Sequence, residues 1–156
     1  MNMQQLAANA GRKNQVIISD EFFIYSTGRP AAGIAAAGGV QTVNIQILAD
    51  SDFLIEKLSF NADLAGVAQL HGTRIVPNVN VLLTNTGSGR QLMNLQLPLT
   101  GIFGSGELPM ILPRQYLLPA SSTLQIQMVS FEAAAVPFVT LNFIGRKIYW
   151  GVAGQQ

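Results

Sequence analysis

Three segments of this chain alternate strictly between apolar side chains and amide or hydroxyl side chains. In residues 42–47, Val43, Ile45 and Ile47 take one side while Thr42, Asn44 and Gln46 take the other. Leu124, Ile126 and Met128 alternate with Gln125 and Gln127, and Val139, Leu141 and Phe143 with Thr140 and Asn142. A period of two places successive side chains on opposite faces of a pleated sheet. Each segment therefore predicts a strand with one buried face and one face that meets water or another protein. The second face is Asn, Gln and Thr with hardly any Lys or Glu. It suits packing against protein and offers little for proton transfer.

By the same rule strands fall at 21–27, 41–49, 53–60, 79–84, 90–97, 123–131 and 138–149, with a short apolar piece at 110–112. Turn formers separate them: Gly28, Arg29 and Pro30, then Asp50, Ser51 and Asp52, then the run from Asn85 to Gly89. Pro98, Gly101, Gly104, Gly106, Pro109 and Pro113 break up one long irregular connection. About seven to eight strands, no long helix and one crossing connection predict an all-β fold, an antiparallel β-sandwich of jelly-roll or Greek-key type. The last two strands are expected to close as a hairpin, with Val139, Leu141 and Phe143 sharing a buried face with Leu124, Ile126 and Met128. Residues 1–20, rich in amides and alanine, read as an extended N-terminal arm. Residues 21–156 read as the sandwich domain.

Composition narrows the setting. The chain has 156 residues, of which 11% are charged, against about a quarter in soluble domains. Such a neutral, amide-rich surface is expected to be buried in an assembly. Net charge is +1, without a basic stripe, so no direct contact with nucleic acid is expected. No run approaches the roughly 20 apolar residues of a spanning helix, and no membrane partner is expected. Cysteine is absent, which removes disulfides and thiolate metal sites. The start lacks the hydrophobic core of a secretory signal, and synthesis in the cytoplasm is expected.

Candidate chemistry is sparse. His71 is the one histidine, in a setting that forms no nucleophile or metal motif, and a zinc site needs three or four ligands. Asp50 and Asp52 flank Ser51, with Glu56 and Asp63 nearby, but Asp-Ser-Asp between two strands is ordinary turn chemistry. Gly87 to Arg90 and Gly104 to Glu107 resemble fragments of phosphate loops, yet neither carries Lys followed by Ser or Thr, nor a following helix. Tyr116, Tyr149 and Trp150 are read as core or interface anchors, with sugar stacking as the competing reading. No catalytic residue, metal site or cofactor is assigned, and the chain is expected not to be an enzyme.

A set of segments in fixed order carries a resemblance. Glu21-Phe22-Phe23-Ile24-Tyr25-Ser26 comes first, then Ile45 to Phe53, then Leu83 to Leu92. Phe103-Gly104-Ser105-Gly106 follows with Pro109 and Leu112-Pro113, and Phe143-Ile144-Gly145-Arg146-Lys147-Ile148-Tyr149 closes. In these pieces the chain resembles small virion proteins of tailed bacteriophages, of the cement or head-decoration type. The resemblance implies a sandwich protomer on the capsid surface, made in the host cytoplasm, with the major capsid protein and itself (as dimer or trimer) as partners. A tail, collar or head-completion protein and a carbohydrate-binding, lectin-like module are the alternatives. Within the arm, Arg12, Lys13, Val16, Ile17 and Ile18 are the expected interface residues. The three apolar ones would add a strand to a neighbouring sheet, and the two basic ones would meet acidic groups on the capsid.

Overall fold

The alternating segments form the long strands of two sheets that pack face to face as a sandwich. The structure, a computed structural model, describes residues 15–29, 32–35, 37–64, 75–133 and 137–152. In chain order the strands are β1 (Gln15–Ser26), β2 (Val40–Gln46), β3 (Asp52–Asp63), β4 (Val79–Asn85), β5 (Arg90–Gln91) and β6 (Leu97–Pro98). A single helical turn, α1 (Leu99–Ile102), precedes β7 (Gly104–Ser105), β8 (Met110–Leu118), β9 (Thr123–Ser130) and β10 (Phe138–Val152). One sheet runs β1-β10-β3, with β7 and β8 both against β3; the other runs β2-β9-β4, with β5 and β6 both against β4. β1, β2, β3 and β4 alternate between the sheets, as do β8, β9 and β10, which is the winding of a jelly roll.

Ten strands are described, where about seven to eight were expected. The predicted strand at 90–97 holds its ladder only at its two ends, as β5 and β6, and β7 is a two-residue pairing inside the long connection. The expected closing hairpin is corrected. β9 pairs with β2 and β4, whereas β10 pairs with β1 and β3. The two strands face each other across the core, so Val139, Leu141 and Phe143 do share a buried cluster with Leu124, Ile126 and Met128. Alternation determines which face is apolar, but it leaves the hydrogen-bonding partner open.

β3 shows how the core is kept continuous. Phe53 and Ile55 are buried, and so are Leu58, Phe60 and Ala62, a change of parity in mid-strand. A bulge absorbs it: Gly145 of β10 lies opposite Ile55, and its neighbour Ile144 opposite Lys57, so Glu56 is the extra residue. Residues 112–115 of β8 arch past the same point, since Ile111 pairs with Lys57 and Tyr116 with Ile55. Pro113, expected only to break the chain, sits in this arch on an edge strand, where its missing N–H costs no ladder bond.

The boundary of the arm also moves. Residues 15–20 already belong to β1, with Val16 opposite Gly151 and Ile17 opposite Trp150. The inner edge of this segment is thus occupied by its own domain. Arg12, Lys13 and His71 lie outside the described residues.

Candidate functional site

The outer face of the β2-β9-β4 sheet carries no ionisable side chain. Register places Thr42 opposite Gln127, Asn44 opposite Gln125 and Gln46 opposite Thr123. Across β9, Leu82 stands opposite Gln127, Thr84 opposite Gln125 and Asn80 opposite Val129. Val40, Val129 and Leu82 are the apolar members; the rest are amides and hydroxyls. Several are held in place. The Thr123 hydroxyl donates to Gln46 Oε1 at 2.7 Å, and Gln46 Nε2 donates to the Ser121 carbonyl at 2.9 Å. Gln96 Nε2 donates to Gln127 Oε1 at 3.1 Å. Thr42, Asn44 and Gln125 make no side-chain hydrogen bond among the described residues, which leaves their groups to water or to a partner. Neutral amides can be buried against a partner without the desolvation cost of bare charge.

The second surface is the free side of β1. This strand pairs only with β10, so its other edge carries no further strand among the described residues. Val16, Ile18, Phe22 and Ile24 are exposed along it, Phe22 by 70%. The opposite edge of the same sheet, β8, is blunted by its arch with Pro113 and the exposed Arg114, a common protection against stray pairing. β1 has a bulge between Ile17 and Ser19 but neither Lys nor Pro.

Elsewhere in the sandwich, several charged side chains form intramolecular pairs. Arg146 meets Glu56 Oε1 through Nε at 2.9 Å and also engages Asp20. Burial opposes its charge, but the two carboxylates outweigh that and raise its pKa. Lys147 points the other way and is nearly buried, with Nζ 4.5 Å from the centre of the Phe23 ring and 3.3 Å from Asp50 Oδ2. Desolvation pulls its pKa down, yet the Asp50 carboxylate prevails and the net shift is upward. Asp50 itself is held below the usual carboxylate range, first by the Ser51 hydroxyl and, against a smaller desolvation effect, by Lys147.

The acidic residues grouped in sequence therefore separate in space. Asp63 pairs with Arg29 at 3.1 Å, Glu56 with Arg146, and Asp50 with Lys147. Asp52 is buried, its Oδ1 accepting from the Ala120 N–H at 2.8 Å and its Oδ2 from the Trp150 indole N–H at 2.7 Å. Among the described residues no group of three His, Cys, Asp or Glu side chains stands together to hold a metal. Trp150 packs on Leu54 and Ile148, which form a small cluster on the opposite face of β3 from Phe53 and Ile55. Its indole is thereby engaged as an anchor.

Of the expected interface residues, Val16 and Ile18 are exposed, while Ile17 is half-buried against the Leu54 and Ile148 cluster. Sequence reasoning missed Phe22, Ile24 and the Val40 end of the amide face. The signal was present: Phe23 and Tyr25 pack on the core, and a period of two then turns Phe22 and Ile24 outward.

No family model matches the chain, and no curated protein does. Among solved structures it is similar to the crystal structure of the infectious bursal disease virus VP2 subviral particle, at 8% identity and a TM-score of 0.38, covering 86% of this chain and 34% of that one. The chain thus spans about a third of the length of that protein.

Proposed function

We propose that this chain is a non-enzymatic structural protein of a virus particle, a cement or decoration protein that binds and stabilises the major capsid lattice of a tailed phage. The observation that carries the reading is the uncharged outer face of the β2-β9-β4 sheet. Such a face can dock repeatedly against protein without burying a bare charge. The phage setting comes from the resemblance of the segments between Glu21 and Tyr149. The carboxylates grouped in sequence are engaged internally, Asp50, Glu56 and Asp63 in ion pairs and Asp52 with the Ala120 N–H and the Trp150 indole.

In this reading the protein is made in the host cytoplasm and resides on the capsid surface, with the major capsid protein and copies of itself as partners. The amide face supplies neutral hydrogen bonds, and the open edge of β1 takes a main-chain segment of a neighbour. Arg12 and Lys13 precede that edge and meet acidic groups on the lattice, an attraction that added salt weakens.

Purified virions resolved on a stained gel test the proposal. A copy number on the scale of the major capsid protein is expected. A copy number limited to a few per particle would move the protein to the tail or collar, and absence from particles would overturn the reading.

A further inference from the structure

A cavity of about 230 Å³ opens at the side of the sandwich between β8 and the residues after β5, edge strands of different sheets that do not pair with each other. Its floor includes the buried Leu58 and Leu83, and Met93 forms part of its wall. Every lining side chain is apolar except those of Arg114 and Tyr116. An apolar cavity of about 150 Å³ takes up a benzene ring. At the same volume per carbon, this one holds an aliphatic chain of about eight to ten carbons.

The cation at the mouth selects the head group. Arg114 is exposed and makes no ion pair or hydrogen bond among the described residues. The nearest carboxylate along the chain pairing, Glu56, is already taken by Arg146 and Gln115. No acid lines the cavity. A guanidinium beside an apolar hollow matches a carboxylate that carries a hydrocarbon tail, because its planar fork binds both carboxylate oxygens. We propose that the cavity binds a free medium-chain carboxylate, the tail resting on Leu58, Leu83 and Met93, with the head group at Arg114 and within the reach of the Tyr116 hydroxyl.

Calorimetric titration of the full chain with octanoate, octan-1-ol and octylammonium, each below its aggregation threshold, tests this. One octanoate is expected per chain, with the alcohol weaker and the ammonium weakest. Arg114→Gln should weaken octanoate about tenfold, the scale of one charged hydrogen bond, and leave the alcohol unchanged. Met93→Trp should block both, with circular dichroism showing that the variant is folded. Absence of saturable octanoate binding by the wild type would overturn the proposal. So would equal affinity for octanoate and octylammonium, or an Arg114→Gln variant that binds octanoate as the wild type does, since either result describes adsorption to exposed apolar surface such as Phe22.

Discussion

Replacing Gly145 with alanine should do more damage than its single added methyl suggests. A Cβ at this position would lie 1.9 Å from the Leu54 carbonyl oxygen, 2.9 Å from the Leu54 carbonyl carbon and 3.1 Å from Ile55 Cα. All three atoms are β3 backbone, so no side chain can swing aside to make room. Ordinary contact begins near 3.4 Å, and the two strands would have to part by about 1.5 Å at the bulge. That opening loses about two ladder hydrogen bonds, at about 1 kcal/mol each net, and adds overpacking strain of about 1–3 kcal/mol. The expected loss is about 3–5 kcal/mol, or a fall in Tm of about 6–20 °C for a chain of this size. Thermal melts followed by far-ultraviolet circular dichroism measure it. Gly101→Ala is the control, because a Cβ in α1 meets nothing within 4 Å and alanine favours the helical turn. A Gly145→Ala protein that melts within about 2 °C of wild type would refute the bulge argument.

Three further outcomes are expected. Asp52→Ala removes the acceptor for both the Ala120 N–H and the Trp150 indole N–H, and should cost about 2–5 kcal/mol in urea unfolding, more than the slight loss expected of a turn aspartate. Phe143→Ala, which empties a buried site and removes the edge-on contact with Phe103, should cost about 3–5 kcal/mol, whereas Asn142→Ala on the other face should cost under about 1 kcal/mol; equal losses would contradict the one-sided core. The Asp50–Lys147 pair should limit stability at both ends of the pH scale. The Asp50 pKa is lowered on folding, so its contribution is present above the unfolded value near pH 4 and is lost as pH falls through the folded value. The Lys147 pKa is raised, so its contribution is full below the unfolded value of about 10.4 and is lost as pH rises through the folded one. Melting temperature against pH reads both limbs, and Lys147→Met should remove the alkaline one.

The strands were legible in the sequence because burial on one face of a sheet leaves a period of two. Val79, Val81 and Leu83 of β4, and Leu124, Ile126 and Met128 of β9, are buried as their alternation predicts. Pairing was not legible, since the same apolar stripe serves a hairpin or two strands facing across a core; hence the correction of β9 with β10. Phase changes hid as well. The bulge at Glu56 lets Ile55 and Leu58 both face inward, and the run from Asp52 to Asp63 shows no single period. Of β8 only a short apolar piece at 110–112 stands out in the sequence, because Pro113 usually breaks a strand, whereas at this edge the arch absorbs it. The amide face was legible residue by residue. The internal pairing of Arg146 and Lys147 was not, because Glu56 lies 90 residues from Arg146 and Asp50 lies 97 from Lys147.

Asn44→Asp tests the central claim most directly. The change is isosteric and replaces a neutral amide with a charge too short to reach out of an interface. Asn44 is exposed at the middle of β2 and makes no side-chain hydrogen bond among the described residues, so the free protomer should melt as the wild type does. Against a capsid lattice the new carboxylate is desolvated without a partner, at a cost of about 3–5 kcal/mol, which corresponds to at least a hundredfold weaker binding. The measurement is the amount of variant retained on purified particles that otherwise lack this protein, at matched concentration and salt. Near-complete loss of Asn44→Asp from the particles, at unchanged Tm, is the predicted result. Retention equal to wild type would show that the amide face does not meet the lattice.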